Sequence, residues 1–203
     1  MTIEELRRAL EKAWNSDRSH VERLTFAAAV LQTALRQAGM EATLVGGGAV
    51  EFYIPDAYTT TDIDLVVERK TRDAIHDVFT ALGLTRQGRH WMRGDLFVEV
   101  PGNHMAEPTE TFDVGPMTLR VVQREYVLAD RIVGYRHWKY WAYGVEAIEM
   151  IRGFGGRIDD AALRDYLRKE GSEHAYDLLL DLMDSDEPLT EQTLEAKWHA
   201  HYR

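Results

Sequence analysis

The chain has no cysteine among its 203 residues. That excludes disulfides, thiolate metal sites and a cysteine nucleophile. It has no unbroken run of about eighteen apolar residues, so neither a membrane-spanning helix nor a membrane partner is expected. Positive charge is scarce: 24 Lys and Arg stand against 34 Asp and Glu, a formal net charge of -10. Phosphate affinity depends on Lys and Arg, so a general nucleic-acid binder is disfavoured. There is no internal repeat and no low-complexity segment. The opening Met1-Thr-Ile-Glu-Glu-Leu-Arg-Arg8 is charged and helical in pattern rather than a signal peptide, which makes the cytoplasm the expected location.

What is present is a soluble-protein composition, 45% hydrophobic and 29% charged. The length suits one domain, or a compact core with a helical appendage. Helical periodicity marks 3–14 and 19–38, the latter opened by a Ser19/Glu22 capping box and closed by Gly39. Strands are expected at 42–45, 63–67, 84–87, 90–93, 96–100, 112–114 and 117–121, and a helix at 70–82. After Val122 the pattern is helical: 126–151 as one helix, a break at Gly153-Phe154-Gly155-Gly156, then 161–169, 172–183 and 190–199.

The most informative stretch is Leu44 to Val67. An apolar strand runs into Gly46, Gly47 and Gly48, a short helical segment follows, and a second strand carries Asp62 and Asp64. Residues two apart on a strand share a face, so the two carboxylates project together while Ile63 and Leu65 face the core. Two such carboxylates repel unless a cation lies between them, and magnesium binds through one or two carboxylates plus substrate phosphates. Glycines at a helix start offer bare N–H groups to a triphosphate. Read structurally instead, the glycines end a strand and Asp62 caps the turn after Thr59-Thr60-Thr61.

Val45-Gly46-Gly47, a gap, then Asp62-Ile63-Asp64 resembles the nucleotidyltransferase superfamily of the DNA polymerase β type. The wording Gly-Gly-x-Ala and Asp-Ile-Asp-Leu looks most like the AbiE-type toxin nucleotidyltransferases and related uncharacterised bacterial ones. Thr60 matches a threonine common two residues before the first Asp. Tyr58 departs from an arginine common before that threonine. The resemblance implies an α+β fold, with a mixed sheet of about five strands, flanking helices and a helical C-terminal part. The change of pattern after Val122 divides the chain into a core over 1–122 and a helical region over 123–203. Asp62 and Asp64 would hold Mg2+ or Mn2+, while Gly46, Gly47, Gly48 and Thr60 would bind an NTP. The reaction implied is transfer of a nucleoside monophosphate to an acceptor hydroxyl of RNA, protein or a small molecule.

Such folds carry a third carboxylate on a neighbouring strand, and Glu99 in Leu96-Phe-Val-Glu-Val100 is the candidate general base. A charge inside so apolar a strand is costly to bury unless paired or bound to metal. Outward exposure is the plain alternative for Glu99. Asp130-Arg131-Ile132 and His137-Trp138-Lys139 resemble a Lys-Asp-Arg-Leu-Ala-x-x-x-His-Trp segment of the uncharacterised relatives. By that likeness Arg131 would face the triphosphate, Glu146 would orient Arg131 or Lys139, and Lys139 would assist nucleotide binding. The alternative is an ordinary helix ion pair.

Arg86, Arg89, His90 and Arg93, and separately Arg131, Arg136, His137 and Lys139, are candidate basic patches, with solvated surface the favoured reading for both. Tyr135, Trp138, Tyr140, Trp141 and Tyr143 read as core between the two halves rather than as a base-stacking platform. Two further functions stay open: a nucleotide-binding module that has lost catalysis, and the partner-controlled member of a toxin–antitoxin pair whose helical tail docks an antitoxin.

Overall fold

The computed structural model describes residues 1–55, 59–68 and 71–202. Tyr58 and Lys70, the latter the expected first residue of a helix, lie outside the described residues. The chain divides into two compact units, Met1–Gln123 and Arg124–Arg203.

The first unit is built on a mixed sheet. Its strands are β1 (Glu41–Val45), β2 (Asp62–Glu68), β3 (Thr85–Gln87), β4 (His90–Arg93), β5 (Leu96–Glu99), β6 (Thr109–Val114) and β7 (Met117–Val122), in the order β3-β4-β5-β2-β1-β7-β6. The sheet thus has seven strands among the described residues, against about five expected, because the edge strands β3 and β6 both pair fully with their neighbours. β1 runs antiparallel to β2 and parallel to β7, and β2 runs parallel to β5. The strand expected at 112–114 begins sooner, since β6 already pairs Thr109 with Val122.

Among the described residues, four helices accompany the sheet: α1 (Ile3–Trp14), α2 (His20–Gln37), α3 (Gly46–Tyr53) and α4 (Arg72–Ala81). Local chemistry fixes their ends. Thr2 with Glu5 and Ser19 with Glu22 form reciprocal capping boxes, and Thr71 caps α4. Ile63, Leu65, Val67, Leu96 and Val98 are buried on one side of the sheet, whereas Asp62, Asp64 and Glu99 are half-buried on the other. Alternation along β2 and β5 therefore anchors these strands by their apolar side and leaves the carboxylates accessible.

The second unit is helical: α5 (Arg124–Val133), a π-helical turn over Gly134–Trp138, α6 (Trp141–Phe154), α7 (Asp160–Lys169), α8 (Glu173–Met183) and α9 (Glu191–His201). The single helix expected over 126–151 is broken, and Lys139 takes a left-handed conformation at φ 56°. Close packing explains the break. A Cβ at Gly134 would collide with the Tyr143 ring, and one at Gly144 would lie 2.9 Å from the Tyr135 ring. Two glycines thus let the segment fold back on itself. Trp138 and Tyr140 beside the break are 60% and 59% exposed, which corrects the expectation that they are core. Leaving the helix at Lys139 takes both off the buried stripe that Tyr135 keeps. No described helix is long and apolar enough to cross a membrane.

Candidate functional site

The register of β1 against β2 builds the centre of the site. Val45 lies opposite Asp64, and Val45 is followed at once by Gly46, the first residue of α3. The start of α3 is therefore placed beside the Asp64 carboxylate. Gly46 has φ +61°, a conformation that favours glycine, and an added Cβ would lie 2.5 Å from Asp64 Oδ2. Val45, the residue before α3, makes no side-chain cap to the helix, and the Asp64 carboxylate stands beside its first turn. Gly48 serves packing: a Cβ there would come within 3.1 Å of Leu44 Cδ1 and 3.6 Å of Leu24 Cδ2.

Asp62 is held from behind. Thr60 Oγ1 lies 3.0 Å from Asp62 Oδ1 and 3.3 Å from the Asp62 carbonyl, and Thr60 is buried. The Thr60 N–H donates to Glu51 Oε2 at 3.0 Å. His20, the first residue of α2, brings Nε2 to 2.9 Å from the Thr60 carbonyl and 3.7 Å from Glu51 Oε2. Glu51 is only 3% exposed, so it reads as a buried acid that fixes the segment leading into β2. Thr60, expected to bind nucleotide, hydrogen-bonds Asp62. Glu51 and His20 were not singled out from sequence, because their roles depend on α2 and α3 converging on one backbone segment.

Glu99 comes from β5. The parallel register pairs Asp62 with Phe97 and Asp64 with Glu99, which sets all three carboxylates on the same sheet face. Glu99 Oε2 lies 3.3 Å from Arg89 Nε and 3.2 Å from His90 Nε2. His90 stands directly across from Glu99 on β4. Asp62, His90 and Glu99 each offer a donor atom within 4.8 Å of the other two. A pocket of about 460 Å³ adjoins this cluster, with Glu99, Arg72, Arg89 and Trp91 in its wall.

The first candidate basic patch does not form as a single surface. Arg89 and His90 turn to Glu99, Arg93 pairs with Glu11 at 2.9 Å, and Arg86 lies over the Trp91 ring.

In the second unit, Arg131 is nearly buried and held by its own neighbours. Its Nε lies 2.7 Å from Glu146 Oε2, its Nη1 2.6 Å from Asp130 Oδ2, and its guanidinium stacks 4.4 Å from the Tyr143 ring centre. Burial works against the Arg131 charge, but Asp130 and Glu146 outweigh it and raise its pKa. Burial also lifts Glu146 above the ordinary carboxylate value, despite the opposing pull of Arg131. The pair thus joins α5 to α6. Lys139 lies over Trp198 at 4.7 Å, Arg136 over Tyr202 at 3.8 Å, and His137 Nε2 is 3.0 Å from the Glu170 carbonyl. These cations are occupied within the unit rather than displayed as one patch.

The first unit is thus an α+β fold in which paired carboxylates stand beside a glycine-started helix. No protein-family model and no curated protein matches the chain. Among solved structures, it is similar to an antigenic nucleotidyltransferase-like protein from Paracoccidioides brasiliensis, with a TM-score of 0.51 and 17% sequence identity over 72% of this chain and 88% of that one. At that identity the likeness is one of fold.

Proposed function

We propose that the chain is a metal-dependent nucleotidyltransferase that moves a nucleoside monophosphate from an NTP to an acceptor hydroxyl. The observation that carries this reading is the placement of Asp62, Asp64 and Glu99 on one face of two adjacent parallel strands, with the glycine start of α3 beside Asp64. The fold likeness supports it.

The residues fit a divalent ion. Carboxylate oxygens suit Mg2+ or Mn2+, and donors from β2, β4 and β5 already lie within 4.8 Å of one another. Asp62 and Asp64 would hold the ion, which when bound neutralises phosphate charge and aligns the attacking and leaving oxygens. The protein supplies the rest. The first-turn N–H groups of α3 receive phosphate oxygens along the helix axis. Thr60 fixes the rotamer of Asp62, and Glu51 fixes Thr60. Glu99 takes the proton of the acceptor hydroxyl as its oxygen bonds to the α-phosphorus; the bond to the bridging oxygen breaks and pyrophosphate leaves. Arg131 and Glu146 keep the α5–α6 pair in register.

The acceptor class is RNA, protein or a small molecule. The toxin-type variant of this reading rests on the Gly46-Gly47-Gly48-Ala49 and Asp62-Ile63-Asp64-Leu65 wording, and it carries an antitoxin as partner. The test is incubation of the chain with α-labelled NTPs and total cell extract. Label appearing on a discrete acceptor, and lost with Asp64→Asn, is the expected result. No transferred label from any of the four NTPs contradicts the reading.

A further inference from the structure

We propose that His90 is a third protein ligand beside Asp62 and Glu99, and that it tunes the site to a first-row transition ion such as Mn2+, Co2+ or Zn2+ in preference to Mg2+. The inference rests on the metal-dependent reading above and goes beyond it: there Asp62 and Asp64 hold the ion, whereas here Glu99 joins Asp62 through the oxygen near His90, which leaves its other oxygen for the acceptor proton.

Three adjacent strands make the site. On β4, Trp91 is buried and His90 is half-buried, so His90 lies on the same sheet face as Glu99, its direct partner on β5. On β2, Asp62 occupies that face one strand further along. The backbone thus sets His90 and Glu99 side by side on β4 and β5, with Asp62 on the same face of β2 and two residues out of the Glu99 register, all on rigid elements rather than loops. The His90 ring is seated edge-on to Phe97, 6.4 Å between centres.

The spacing suits an ion. His90 Nε2 and Glu99 Oε2 are 3.2 Å apart. Two ligands at right angles around a metal with bonds of about 2.1 Å stand about 3 Å apart. All three donors fall within 4.8 Å, so small side-chain rotations would close them on one centre. The competing partner of Glu99 is Arg89, whose side chain is 74% exposed. Exposed pairs contribute little, so Arg89 can be displaced at small cost.

The donor chemistry sets the preference. Mg2+ takes oxygen ligands and gives up its waters reluctantly. An imidazole nitrogen favours later first-row ions, whose affinities rise from Mn2+ through Co2+. Two carboxylates and one imidazole leave positions open for Asp64, water or phosphate.

The test is a Co2+ titration of the metal-free full chain, read by visible absorption and calorimetry, with Zn2+ and Mg2+ as competitors. His90→Gln, Asp62→Asn and the wild type are compared, with circular dichroism to confirm that each is folded. The expected result is that the wild type prefers Co2+ and Zn2+ to Mg2+ by at least about tenfold, that His90→Gln weakens Co2+ binding by about 10- to 100-fold, and that Mg2+ affinity stays within about twofold. Unchanged Co2+ affinity in His90→Gln, with binding abolished in Asp62→Asn, overturns the role of His90 and leaves the carboxylate site standing. Unchanged Co2+ affinity in both variants overturns both. Should His90→Gln be poorly folded, Glu99→Gln serves in its place, and intact Co2+ affinity and spectrum there overturn the three-donor site.

Discussion

Gly46 and Asp64 are in mutual contact across the β1–β2 register: no side chain can stand at residue 46 without meeting the Asp64 carboxylate, 2.5 Å from where a Cβ would be. The glycine therefore does two things. It allows φ +61° at the start of α3, and it leaves the space that Asp64 fills. Gly46→Ala is expected to lose about 1 kcal/mol from backbone strain alone and to displace Asp64. Gly88 shares φ +61° but has open space around it, so Gly88→Ala carries only the strain. Chemical denaturation of both, with Mn2+ binding by calorimetry, separates the effects. Gly46→Ala should weaken Mn2+ binding and Gly88→Ala should not; equal binding in the two would leave the contact without consequence for the site.

Thr60 and Glu51 act through Asp62. Thr60→Val keeps the shape and removes the hydroxyl that bonds Asp62 Oδ1. Loss of an orienting partner typically lowers metal affinity by about 10-fold or more. Mn2+ affinity should fall accordingly with Thr60→Val, while Thr60→Ser retains it. A Thr60→Val protein with wild-type affinity would show that Asp62 needs no such support. Glu51→Ala leaves the Thr60 N–H buried without its acceptor and should destabilise the first unit by about 1–3 kcal/mol, read by urea unfolding.

The Arg131–Glu146 pair makes a pH-dependent contribution. Burial places the folded-state pKa of Glu146 above its ordinary 4.5, in spite of Arg131. The stability that this shift contributes is complete below the unfolded pKa and is lost as pH rises through the folded value. Glu146→Gln does not titrate. The unfolding free energy of the wild type minus that of Glu146→Gln should therefore fall as pH rises above 4.5, whereas a constant difference would mean that burial does not perturb Glu146. Glu146→Ala should cost about 3 kcal/mol at neutral pH, near the low end for a broken buried pair, because Asp130 still faces Arg131.

Much of this site was legible in the sequence because it is local. The capping boxes at Ser19/Glu22 and the alternation Asp62-Ile63-Asp64-Leu65 need only near neighbours along the chain, and the structure has both. The face of Glu99 was not legible, since alternation gives two faces but not which one meets β2; the parallel register decides it. His90 was grouped with arginines as a basic patch, yet a signal existed. The Gly94-Asp95 turn joins Arg93 to Leu96, and counting outward along both strands brings His90 opposite Glu99. Lys139 gave no sign: neither glycine nor proline marks its left-handed conformation, and the break depends on Tyr143 packing over Gly134. Glu51, in the apolar run Gly48-Ala-Val-Glu-Phe52, stood out only once Thr60 and His20 converged on it.

The measurement that bears most directly on the central claim is pyrophosphate release from NTP by the wild type, Asp62→Asn and Asp64→Asn, with and without Mn2+ or Mg2+. Release that requires a divalent ion and disappears in both variants, each still folded, is the predicted result. Release that persists without a divalent ion, or at the wild-type rate in Asp62→Asn, would contradict the assignment of these two carboxylates as the centre of a nucleotidyl-transfer site.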